Sequence, residues 1–224
     1  MSPKGINIQN TDKLWINGAW VAAQSGRMIE LVSPDTETVI GSVAEANEAD
    51  MDAAVAAARA AFDTGPWGKM TPADRVAILK AMSVHLHARN DELARAWTLQ
   101  MGGLASFAPF MHQGATATLD GIIAMAEAFD FVEQRASQAA HTALIAHEPV
   151  GVVAAIAPWN GPYGIMLNKI GYALAAGCTV IMKPSPETPL EAYIIAEAAE
   201  AAGVPAGVIN LVCGHRDASD HLVC

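Results

Sequence analysis

Basic side chains are scarce in this chain: 13 lysines and arginines stand against 23 aspartates and glutamates in 224 residues, a formal net charge of −10. Binding to a phosphate backbone needs clustered Lys and Arg that release counterions, so nucleic acid is not an expected partner. Cysteine is scarce too. Cys178, Cys213 and Cys224 form an odd set without close spacing, which fits a reduced, cytoplasmic compartment better than a disulfide framework. Long apolar runs are missing: the most apolar stretch, 151–182, is broken by Pro158, Asn160, Pro162, Asn168 and Lys169, short of the roughly 18 uninterrupted residues that span a bilayer. The first residues show no basic start followed by an apolar block, so neither a secretory signal nor a membrane is expected. No H-E-x-x-H or paired-cysteine spacing occurs, and His85 and His87, two apart on a helical pattern, point to different faces. No metal is expected.

What is present is apolar. A hydrophobic content of 52% is far above that of chains too polar to offset the entropy of ordering, and the length suffices for one large domain or two small ones. "LWINGAWVAA" alternates around Asn17-Gly18, a two-residue hairpin turn in which both residues tolerate positive φ. "TVIGSVAEA" reads as a second extended segment after the turn-like "SPDTE". Helical periodicity follows: "EADMDAAVAAARAAFDTGPW" puts Met51, Val55, Ala58 and Phe62 on one face and stops at Gly65-Pro66. A second helix starts at Thr71 as N-cap with Pro72 at its first position and Asp74 near the capping-box place, and runs to Gly102-Gly103. A third runs from about Met111 to Gln134, interrupted by Gly114 and Gly121, and "HTALIAHEP" then reads as an extended arm.

From Gly151 the order strand, helix, strand, helix, strand is punctuated clearly. "GVVAAIA" is all apolar, as expected of a parallel strand buried on both faces. Residues 163–176 make a helix closed by Gly177, "CTVIMK" is the next strand, Thr188-Pro189-Leu190-Glu191 is a capping box that opens a helix closed by Gly203, and "GVINLVC" is the third strand. This order predicts right-handed crossovers and one parallel sheet, an α/β fold.

In open parallel sheets ligands bind beyond the carboxyl ends of the strands. Those ends here carry Pro158-Trp159-Asn160, Lys183-Pro184-Ser185 and Gly214-His215-Arg216, so an amide, an ammonium with a hydroxyl, and a glycine-led turn are expected on one rim. Neither G-x-x-x-x-G-K-[ST] nor G-x-G-x-x-G is present, so any dinucleotide is held in another way. Outside that context Asn160 reads as a turn residue at a helix start and Lys183 as a solvated lysine before proline; their joint placement at strand ends favours the functional reading. His215 and Arg216 read more simply as a frayed terminus than as cofactor contacts.

Residues 148–214, with "PWN" and "KPS-x-x-TP" in this spacing, resemble the aldehyde dehydrogenase superfamily, and the resemblance extends upstream through "SPDTETVIGSV", "DAAVAAARAAFDTGPW" and "TPADRVAILKAM". It implies a Rossmann-like parallel sheet with flanking helices, truncated relative to a typical member, plus an extended oligomerisation arm. The implied division is a hairpin and helices over 1–131, the arm over 132–150, and the βαβαβ part of the cofactor-binding domain over 151–224. The implied activity is oxidation of a small-molecule aldehyde to a carboxylic acid with NAD or NADP, in a homodimer or homotetramer when intact. A cysteine thiolate attacks the aldehyde, hydride passes to the nicotinamide, and a glutamate-activated water releases the acid.

By the same resemblance Asn160 is the catalytic oxyanion donor, and Ile156, Pro158, Trp159, Lys183, Ser185, Pro186 and Gly214 form the cofactor-binding set. Lys183 would reach the adenosine ribose with Ser185 near its 2′ position, and Gly161 and Tyr163 are candidates for the substrate tunnel. Pro186 departs from the glutamate that NAD-preferring relatives often carry after K-P-S, and Glu187 follows it. The family's nucleophilic cysteine and general-base glutamate fall downstream of the third strand, beyond Cys224, and Cys178 and Cys213 read as core thiols. This chain alone is therefore expected to be inactive. The alternative expectation is a catalytically inactive truncated nucleotide-binding or interaction module.

Overall fold

The computed structural model describes residues 5–139 and 141–223, so Cys224 lies outside it. Its central sheet has five strands. Strands β7 (Val152–Ile156), β8 (Thr179–Lys183) and β9 (Ile209–Leu211) run parallel in the order β9-β8-β7. The amino-terminal hairpin of β1 (Leu14–Ile16) and β2 (Ala19–Val21) joins β9 antiparallel. Its turn has φ of +54° at Asn17 and +74° at Gly18, as a type I′ turn requires. The buried Asn210 amide holds it to the sheet, accepting the Asn17 N–H at 2.9 Å and donating to the Gly207 carbonyl at 2.8 Å.

Helices α5 (Pro162–Ala176) and α6 (Leu190–Ala201) cross over between the parallel strands. Gly177 ends α5 in the left-handed region at φ +98°. Helices α1 (Glu48–Asp63), α2 (Pro72–Ala88), α3 (Asn90–Met101) and α4 (Ala108–Ala128) complete the layers, with α7 (Arg216–Val223) following β9. Two two-stranded ribbons stand apart from the main sheet: β3 (Met28–Val32) with β4 (Val39–Ala44), and β5 (Val132–Ser137) with β6 (His141–Ala146). The core fills the space between the sheet and helices α2, α4, α5 and α6. Among the described residues no helix is long and apolar enough to cross a membrane, and no group of three or more His, Cys, Asp and Glu is placed to hold a metal ion.

Several local expectations are corrected by tertiary contacts. The helix expected from Thr71 to Gly103 breaks at Arg89, whose guanidinium turns inward to Glu92, Glu197 and the Asn7 carbonyl. Helix α4 runs unbroken through Gly114 and Gly121 and stops at Ala128 rather than Gln134, because Phe129 leaves helical geometry to meet Phe131 at 4.9 Å and His147 at 5.2 Å. The face of α1 is Met51, Ala54, Ala58 and Ala61; Val55 is exposed. Strand β7 is half-exposed at the sheet edge instead of buried on both faces. Residues after Gly214 form α7, tied down by His221 on Asp52 at 2.8 Å, where a frayed end was expected. The capping box at Thr188 does not form: α6 starts at Leu190 with no side-chain cap.

Candidate functional site

The parallel register pairs Ile156 with Lys183, and the Ala157 N–H donates to the Lys183 carbonyl at 3.1 Å, so the ends of β7 and β8 leave the sheet side by side. At the end of β8 the Lys183 ammonium is buried and donates to the Gly214 carbonyl at 3.4 Å. The second and third strand ends are thereby joined directly. Burial lowers the Lys183 pKa, with Cys213 and Glu187 opposing. An ammonium in that state has donors left over for an incoming hydroxyl or anionic group. Gly214 is itself crowded: a Cβ would stand 3.0 Å from the Ala46 carbonyl and 3.2 Å from Ala218 and Met51.

At the end of β7, Ile156, Pro158, Trp159 and Asn160 are exposed, and among the described residues the Asn160 side-chain amide makes no hydrogen bond. It is an N–H donor available to an oxygen gaining negative charge. The backbone beneath it is held twice: Thr188 Oγ1 donates to the Trp159 carbonyl at 3.0 Å, and Trp97 Nε1 donates to the Asn160 carbonyl at 3.1 Å. Gly161 then precedes α5, whose amino-terminal dipole end faces the same turn.

Ser185 and Pro186 are half-buried beyond β8, and the Ser185 hydroxyl donates to the Glu187 carboxylate. Glu187 thus folds back onto the serine, a contact that the proline between them did not suggest. His215 and Arg216 are exposed; His215 lines a cavity of about 350 Å³ with Pro186 and Glu187, and Arg216 pairs with Asp220 at 3.5 Å. Cys178 and Cys213 are both buried, and burial pushes the Cys213 thiol up to about 12.

Beneath the Asn160 turn lies a polar cluster that sequence inspection missed. His112 and Glu191, both fully buried, face each other at 3.5 Å. Glu191 also accepts from Gln100, whose amide oxygen accepts the Leu190 N–H at 3.2 Å. Burial raises the Glu191 pKa, opposed by His112. His112 stacks on Tyr163 with ring centres 5.3 Å apart, and the Tyr163 hydroxyl bonds Thr116 at 2.7 Å. A cavity of about 520 Å³ opens beside it, lined by Met111, Ala115, Gly161, Tyr163, Gly164 and Asn168 among others. Gly161 and Tyr163 therefore do line a cavity next to Asn160. Nothing in the local pattern distinguished Trp97 or His112 from ordinary helix residues.

A model of the aldehyde dehydrogenase family matches residues 20–224. The geranial dehydrogenase of Castellaniella defragrans is 39% identical over 94% of this chain and 44% of its own length. A 2-hydroxymuconic semialdehyde dehydrogenase of a Pseudomonas species is 43% identical over 90% of the chain and 42% of its own length. Among solved structures, an aldehyde dehydrogenase of Mycobacterium tuberculosis complexed with NAD+ superposes with a TM-score of 0.91 at 37% identity, over 96% of this chain and 45% of that one. The chain spans less than half the length of the relatives it matches.

Proposed function

The chain belongs to the aldehyde dehydrogenase family, and on that premise we propose that in the whole protein it forms the cofactor-binding part of an enzyme that oxidises an aldehyde to a carboxylic acid with NAD or NADP. The observation that carries the reading is the exposed, unengaged Asn160 amide at the end of β7, beside the buried Lys183 ammonium at the end of β8. An oxygen that becomes negative when a thiolate adds to the aldehyde carbon is stabilised by a donor already aimed at it, because no reorganisation is needed as charge develops. Asn160 is that donor. Lys183 offers its spare N–H groups to a ribose hydroxyl, with Ser185 alongside and Ile156, Pro158, Trp159, Pro186 and Gly214 shaping the groove. When bound, the nicotinamide cofactor supplies the hydride acceptor; water supplies the second oxygen of the acid.

Neither Cys178 nor Cys213 suits the nucleophile, since both are buried and a thiol held near 12 yields almost no thiolate at neutral pH. The attacking cysteine and the base belong, on this reading, to the remainder of a full-length enzyme. The β5–β6 ribbon projects its side chains into solvent, as an arm that assembles a homodimer or homotetramer would.

Two measurements test the reading. Titration of NAD+ and NADP+ into the chain, followed by the fluorescence of the exposed Trp159, is expected to saturate, with Lys183→Ala weakening binding about tenfold. Identical binding by the variant would remove Lys183 from the site. In the whole protein Asn160→Ala is expected to lower kcat by about two to three orders of magnitude with unchanged cofactor affinity. Unchanged turnover would refute the oxyanion role.

A further inference from the structure

The Asn160 side chain has no hydrogen bond of its own among the described residues, so its placement depends on the backbone of the turn that carries it. Two consecutive carbonyls of that turn are held by side chains from elsewhere in the fold: Trp159 by the Thr188 hydroxyl at 3.0 Å and Asn160 by the Trp97 indole at 3.1 Å. We propose that Trp97 and Thr188 are positioning residues that fix the Asn160 amide for its role in the reaction, an inference that rests on the function proposed above.

Both anchors are themselves locked. Thr188 is 1% exposed. The Trp97 ring lies against Gly103, where a Cβ would fall inside the indole, and meets His112 edge-on with ring centres 6.0 Å apart. His112 in turn is fixed by its hydrogen bond with the Ala108 carbonyl at 2.8 Å and stacks on Tyr163. The clamp is thus rooted in α3 and in the segment that leads into α6, with α4 backing the indole through His112. A donor must sit within a fraction of an ångström of the developing oxyanion, and a misplacement of about 1 Å costs about a hundredfold. Anchoring two adjacent peptide planes meets that demand without occupying the amide.

The test uses Trp97→Phe, which keeps the ring and removes the N–H, Thr188→Val, which keeps the shape and removes the hydroxyl, and the two combined. By 15N relaxation on the chain, the combined variant is expected to lower the backbone order parameter at Asn160 and Gly161 from about 0.85 to below about 0.6, with β7 unaffected. In the whole protein kcat is expected to fall about tenfold with KM for aldehyde and cofactor within about twofold. In an Asn160→Ala background the same changes are expected to cause no further loss, because they act through the amide already removed. A turn as rigid in the variants as in the parent, or losses that multiply in the Asn160→Ala background, would overturn the proposal. Should Asn160→Ala alone leave turnover unchanged, the proposed function falls, while the relaxation data still decide whether Trp97 and Thr188 hold the turn.

Discussion

Strand β8 and the β5–β6 ribbon are built by opposite means. Every residue of β8 is buried between helices, whereas the ribbon is fully paired through its backbone yet shows almost every side chain to solvent. A buried parallel strand is held by apolar packing on both faces. An isolated two-stranded ribbon has only its ladder and is marginal in water. Here its base is pinned by Arg75 over the Phe131 ring at 5.6 Å, by the His147 N–H on the Phe131 carbonyl at 2.9 Å, and by His147 on Glu133 at 3.0 Å. The buried Lys183, proposed above as a cofactor contact, stands at the end of that packed strand; on the same proposal the ribbon suits a surface that gains its order from a second surface.

That contrast can be broken by substitution. The largest effect is expected in the sheet: Leu211→Ala in β9, where Leu211 is fully buried, should cost about 2–5 kcal/mol in urea unfolding. A loss below about 1 kcal/mol would mean that this side of the sheet is not tightly packed. Next comes Gly103→Ala, which drives a methyl into the Trp97 ring; overpacking of this kind should cost about 1–3 kcal/mol and alter tryptophan emission. Unaltered emission and stability would show that the ring has room to move.

A smaller effect concerns Asp120 on α4. Burial would raise its pKa, but hydrogen bonds from Ser83 and from His87, the latter at 2.8 Å, outweigh that and hold it below the usual value. A carboxylate depressed in the folded state stabilises above its unfolded pKa, and that contribution disappears as pH falls through the folded value. Asp120→Asn should therefore be less stable than the parent at pH 7, by at most about 1 kcal/mol because the pair is half-exposed to screening solvent. The gap should close as pH drops below about 4. A gap that stays constant from neutral to acid pH would show that the charge contributes nothing. Smallest of all, Leu144→Ala on the ribbon, where Leu144 is 65% exposed, should stay within about 0.5 kcal/mol for the chain alone. A loss as large as that of Leu211→Ala would erase the distinction between the two regions.

Much of the framework was legible in the residues. The Asn17-Gly18 turn, the Thr71–Asp74 capping box, the glycine closing α5 and the three parallel strands all appear where local chemistry puts them. The strand-end residues Lys183 and Gly214 do meet, because parallel strands in register must bring their ends together. Less legible were features whose partners are distant. Arg89 sits in a sequence with unbroken helical periodicity, and its break follows from carboxylates and a carbonyl brought in from α3, α6 and the amino-terminal segment. The apolar composition of β7 suits a strand with two covered faces, yet its exposure depends on which neighbours are present.

Thr188-Pro189-Leu190-Glu191 marks the boundary between the two kinds of information. By itself the tetrad specifies a turn into a helix, and a helix follows. The capping bonds themselves were displaced: Thr188 donates to the Trp159 carbonyl 29 residues away, and Glu191 accepts from Gln100 of α3. A capping bond competes with water at an exposed helix end, whereas these partners are buried, where an unsatisfied carbonyl or carboxylate costs far more than a lost cap. Local sequence therefore determined where the elements begin and end. Only the assembled tertiary structure decided which polar groups those side chains would satisfy, because the buried partners exist only after the elements have packed.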